Sequence, residues 1–98
     1  MRKRQNTDDF IKLVFKNRNT VNKDLQNYSN SLFFNNESGK VYSYQEEIAE
    51  VSEFGEVYLK DKTSRGGWYF SRTTSSQVYK IERFLIEQEI PHEVENFK

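Results

Sequence analysis

Cysteine is absent from the 98 residues, so neither a disulfide framework nor a thiolate metal site can hold this chain, and the fold rests on packing alone. Histidine occurs once, at His92, with no second imidazole to complete a tetrahedral metal set. That residue is expected at the surface, and no metal ion or other cofactor is implied. A nucleophilic serine would need a base within reach, so the hydroxyls of Ser71, Thr73, Thr74, Ser75 and Ser76 are expected to make caps and turns, and the protein is expected not to be an enzyme. Long apolar runs are also missing. No stretch approaches the roughly 18 residues of a membrane span, and the basic start Met1 to Arg4 leads into Gln5, Asn6, Thr7, Asp8 and Asp9 instead of the apolar segment of a signal peptide. The expectation is a cytoplasmic protein that does not enter membranes. Glycine-rich phosphate fingerprints are lacking as well, because the loop Ser64 to Gly67 precedes a strand pattern and not a helix.

Hydrophobic residues make up only 35% of the chain, and the 15% that are aromatic compensate, since each buries roughly 150–250 Å². One aromatic-rich core fits residues 1–98 as a single domain. Asn, Lys, Phe, Tyr and Ile fill 37 positions while alanine appears once, at Ala49, a bias that points to an AT-rich genome such as a low-GC bacterium or its phages. The zero net charge hides segregation: residues 1–23 sum to +5, 24–59 to −6, 60–83 to +4 and 84–98 to −3. Blocks of this kind steer charged partners if folding leaves them separate; solvated faces that pair with one another are the simpler account.

The pattern predicts an α+β fold. The stretch from Gly66 to Gln88 organises it: an aromatic strand through Trp68, Tyr69 and Phe70 turns into a helix over 75–89 whose stripe of Val78, Ile81 and Leu85 packs on a sheet. Thr74 and Gln77 fit a capping box at its start. Residues 1–6 read as a frayed tail. Thr7 reads as the cap of a helix carrying Phe10, Leu13 and Val14, and Thr20 as the cap of a second short helix sharing Val21, Leu25 and Tyr28 on one face, so that helices cover 8–28. An antiparallel sheet of about four strands follows over 31–72. It comprises a hairpin around Asn35 to Gly39, a segment Glu46 to Val51 that continues as a strand or breaks at a bulge, and a strand with Val57 and Leu59 pointing inward. Pro91 ends the last helix near Ile90, leaving 91–98 as an extended tail.

Two surfaces are candidates for function. Glu46, Glu47, Glu50, Glu53 and Glu56 form an acid-rich segment; carboxylates at such spacing serve a divalent ion in some hydrolases, but alternating exposed positions favour solubility and protection of sheet edges. Arg65, Tyr69, Arg72, Tyr79, Lys80 and Arg83 mix cations with aromatic faces, the combination that holds single-stranded nucleic acid by stacking and phosphate contacts.

Residues 39–44 (Gly39, Lys40, Val41, Tyr42, Ser43, Tyr44), then Glu47-Ile48-Ala49, then Tyr69 to Ser75 leading into a helix resemble a pattern in small uncharacterised proteins of phages and mobile elements, over about residues 31–88. The resemblance implies an anti-defence or host-takeover factor of anti-CRISPR type: a non-catalytic inhibitor that occupies the surface of a host protein or nuclease complex, here by offering the acidic segment to a basic groove built for phosphates. The alternative is a nucleic-acid-binding accessory protein using the Arg/aromatic face. A homodimer is compatible with either, and the sequence leaves the oligomeric state open.

Overall fold

Strand-forming alternation dominates the middle of the chain, and a computed structural model, which describes residues 3–60 and 72–95, gathers those strands into one mixed sheet. In chain order the elements are β1 (Lys3–Gln5), α1 (Thr7–Phe15), a 3-10 turn (Arg18–Thr20), β2 (Leu25–Asn27), β3 (Leu32–Asn35), β4 (Lys40–Ser43), β5 (Glu46–Val51), β6 (Val57–Lys60), α2 (Arg72–Glu87) and β7 (His92–Glu95). Spatial order repeats chain order from β1 to β7. β2 to β6 form an antiparallel meander, while the outer pairs β1/β2 and β6/β7 are parallel. Parallel neighbours require a crossover, and each of the two crossovers contains a helix. The α+β class is as expected from the sequence; the sheet is larger, with seven strands among the described residues in place of about four.

The differences have local causes. Residues 3–5, expected to fray, pair in register with Leu25 to Asn27. The second helix expected up to Tyr28 is a single 3-10 turn followed by β2, in which Leu25 and Asn27 are buried and Tyr28 is exposed. Asn27 decides this: its side-chain carbonyl accepts the backbone N–H groups of Ser31 and Leu32, both at 2.9 Å, and so closes the turn into β3. The cap of α1 is Asn6, one residue before Thr7, whose Oδ1 accepts the Asp9 N–H at 2.8 Å. Helix α2 begins at Arg72, so Thr74 and Gln77 lie inside it and are buried instead of forming a capping box. Four residues of the tail after Pro91 add β7 to the sheet edge. The aromatic strand expected at Trp68 to Phe70 lies outside the described residues.

Both helices cover one face of the sheet, so that face and the inner stripes of the helices share one core. Phe10 and Val14 from α1, Leu32, Phe34, Val41, Ile48, Ala49 and Leu59 from the strands, and Val78, Ile81 and Leu85 from α2 are fully buried. Ile48 and Ala49 point inward in succession because β5 carries an extra residue opposite the Val41/Tyr42 step, the bulge that the sequence left as one of two options. Val57 and Leu59 point inward as expected.

Candidate functional site

With Val78, Ile81 and Leu85 fixed in the core, the helical period puts Arg72, Ser76, Tyr79, Lys80, Arg83 and Ile86 on the opposite side of α2. Together with Glu82 and Glu87, these residues line a concavity of about 840 Å³ along the outside of the helix. Tyr79 is 41% exposed and Ile86 62% exposed, so the stripe presents apolar surface between its cations. Arg72, Lys80 and Arg83 are all exposed, and none of them makes an ion pair or hydrogen bond with another described residue. Of the Arg/aromatic set, Arg72, Tyr79, Lys80 and Arg83 are therefore brought together, while Arg65 and Tyr69 lie outside the described residues.

Helix α1 contributes a residue that the sequence reading did not include. Lys12 lies in the groove between the helices with Lys80 and Arg83, and Asp8, Asp9 and Glu87 provide its acidic counterweight. The Lys16 ammonium donates to Gln88 Oε1 at 2.6 Å and ties the two helices at that end. Lys12 was legible as a solvent-facing residue of an amphipathic helix, but its position beside α2 depends on how the helices pack.

The acidic segment is distributed differently. Glu47 sits on the uncovered face of the sheet between Lys60, at 2.9 Å, and Lys40, at 3.4 Å. Burial pushes its carboxyl up, but the hydrogen bond and charge of Lys60, joined by those of Lys40, outweigh this and hold it below its ordinary value of 4.5. The same contact raises the Lys40 ammonium, chiefly through the charge of Glu47. Glu50 lies opposite Lys40 and Tyr58 in the ladder. Glu46 opens β5 and is exposed, and Glu53 is exposed in the turn before β6. Glu56 accepts the Tyr58 hydroxyl at 3.0 Å. That hydrogen bond, then burial, then the charges of Glu56, Glu93 and Glu50 raise the Tyr58 phenol above its ordinary value. The acids thus divide into a neutralised one, Glu47, two exposed ones apart from it, Glu46 and Glu53, and a group of Glu50 and Glu56 around Tyr58 that β7 completes with Glu93, the residue opposite Tyr58 in the parallel ladder. Nothing in the sequence marked Glu93 for that group, because its neighbour is set by strand pairing. On the same face Phe33 and Tyr42 stack across β3 and β4, with ring centroids 6.3 Å apart.

Among the described residues, no three His, Asp or Glu side chains gather closely enough to hold a metal ion, and no helix is long and apolar enough to cross a membrane. No protein-family model matches the chain, and no curated protein or solved structure is significantly similar to it.

Proposed function

We propose that this is a non-catalytic nucleic-acid-binding accessory protein whose contact surface is the outer side of α2 with the adjoining groove against α1. The observation that carries the reading is the stripe of Arg72, Lys80 and Arg83: three exposed cations on one helix side without a described carboxylate partner, interleaved with the exposed Tyr79 ring. Cations already neutralised by neighbours release few counterions on meeting phosphate, whereas unpaired ones bind it and make affinity fall with salt. A fluorescent single-stranded oligonucleotide titrated over a salt series tests this. Replacing all three residues by Gln should weaken binding and flatten the slope of log K against log salt by about 2, at roughly 0.7 per lost contact on a single strand. An unchanged slope, or no binding by the parent protein at low salt, would refute it.

A second reading is favoured by the acids around Tyr58. Glu50, Glu56 and Glu93 give the β5 to β7 end of the uncovered sheet face a negative character that suits a basic, phosphate-binding groove, as expected of a phage inhibitor of a host nuclease complex. Its test is cleavage by a purified CRISPR nuclease in the presence of rising amounts of the protein. Inhibition that weakens when Glu50 and Glu56 are changed to Gln supports this reading, and undiminished cleavage removes it.

A further inference from the structure

Beneath the near end of the basic stripe lies a smaller cavity of about 350 Å³ between the start of α2, the start of α1 and the β2–β3 turn. Its walls carry Arg72, Lys80 and the hydroxyls of Thr7, Ser29, Thr73 and Ser76, and among the described residues lining it none is acidic. The floor is Ser31 and Gln77, both buried.

The hydrogen bonds under that floor have a direction. Asn27 is held by two backbone N–H donors at its carbonyl, so its amide group faces the Ser31 hydroxyl and donates to it at 3.0 Å. Gln77 Nε2 donates to the same oxygen at 2.8 Å. With both lone pairs of Ser31 Oγ occupied, its one proton goes to Ser29 Oγ, 2.8 Å away. Further back the Ser43 hydroxyl donates to Gln77 Oε1 at 2.5 Å, so the contact of 2.9 Å between Ser43 and Thr74 is donated by Thr74. A donor chain therefore runs from Thr74 through Ser43, Gln77 and Ser31 to Ser29, and the proton left over at its end belongs to an exposed hydroxyl on the cavity wall. Thr7 Oγ1 likewise accepts from Asn27, at 3.3 Å, and keeps its own proton to give. Each bond in such a chain polarises the next, which strengthens the terminal donor.

Two cations with no ion-pair partner among the described residues, and hydroxyls with protons to donate, define a cavity that rewards acceptors carrying negative charge. We infer that it is a phosphomonoester site, which seats the terminal phosphate of a nucleic-acid strand or of a free nucleotide. Arg72 and Lys80 neutralise the dianion, and Ser29, Thr7, Thr73 and Ser76 donate to its oxygens. The inference rests on the nucleic-acid reading only for the source of the phosphate.

The test compares binding of one single-stranded oligonucleotide carrying a 5′-phosphate or a 5′-hydroxyl, with adenosine monophosphate and inorganic phosphate titrated separately against the amide spectrum of the protein. The phosphorylated strand should bind about tenfold tighter. That advantage should shrink in Ser29→Ala and vanish in the Arg72→Gln/Lys80→Gln pair, whose exposed side chains can be changed without disturbing the core. Arg83→Gln, which lies outside this cavity, should weaken both strands equally. Equal affinity for the two strands, with no response to either small phosphate, overturns the inference while leaving salt-sensitive strand binding to support the broader reading. Shifts at residues 29, 73 and 76 on adding adenosine monophosphate, without binding of any strand, support the site with a free nucleotide as its source and count against the broader reading.

Discussion

Glu47 shows how far a residue's neighbours rewrite its chemistry. In sequence it is one of five similar carboxylates; in the fold it is the half-buried acid held between Lys40 and Lys60 on the uncovered sheet face. Its folded value lies below 4.5, so the stability it supplies is fully present above that pH and is lost as pH falls through the depressed folded value. Glu47→Gln should therefore destabilise the protein by about 1 kcal/mol at neutral pH, the upper end for a partly exposed pair, with the two proteins converging in acid. Urea unfolding at pH 7 and pH 3 checks this; a difference that persists undiminished at pH 3 would mean that packing, not charge, is responsible. Arg18 is a parallel case: its guanidinium donates to the carbonyls of Val21 and Asn36 at 3.2 and 3.1 Å and lies over the Phe34 ring, so a residue from the basic first block serves the fold.

The β3–β4 hairpin and α2 carry most of the local specification. Gly39 ends the hairpin turn at φ +76°, and a Cβ there would lie 2.2 Å from the carbonyl oxygen of Val51. Backbone conformation and contact both exclude a side chain, so Gly39→Ala should cost about 2 kcal/mol or more in thermal or chemical unfolding. An effect below half that size would mean that β5 can move away without penalty. In α2, Leu85→Ala empties a fully buried site and should cost about 2–5 kcal/mol, whereas Ile86→Ala, next to it and 62% exposed, should change stability little. Comparable losses at both positions would place the helix in a different rotation from the one described.

At the scale of the whole molecule, the two layers are joined by apolar packing at the centre and by a polar seam at one end. Gln77 bridges Ser43 of β4 and Ser31 beside β3, and so fixes the position of α2 along the sheet. Gln77→Leu leaves the Ser43 hydroxyl without its acceptor and should cost about 1–3 kcal/mol. A cycle with Ser43→Ala should show a coupling of at least about 0.5 kcal/mol; strict additivity would show that the seam is not a unit. On the helical layer Arg72, Lys80 and Arg83 have no ion-pair partner among the described residues, although Glu82 and Glu87 line the same concavity, and Glu50, Glu56 and Glu93 gather on the uncovered face at the β5 to β7 end.

Wherever one periodicity prevailed, the sequence by itself determined the outcome. The stripe of Val78, Ile81 and Leu85 specified the buried side of α2, and with it the outward placing of Arg72, Tyr79, Lys80 and Arg83, because a helix links inner and outer residues rigidly through its period. The inward Val57 and Leu59 and the turn at Gly39 were legible for similarly local reasons. Short segments were not. Lys3–Gln5, Leu25–Asn27 and His92–Glu95 hold three or four residues each, too few for a pattern to distinguish strand from tail or helix, and they are strands because a neighbouring strand supplies their hydrogen bonds. Tertiary structure alone decided that Glu47 is neutralised, that Glu93 joins Glu50 and Glu56, and that Thr7, Ser29 and Gln77 meet Arg72 and Lys80 around one cavity. Those groups come from segments up to 73 residues apart, counting from Thr7 to Lys80, and only pairing register and layer packing bring such segments together.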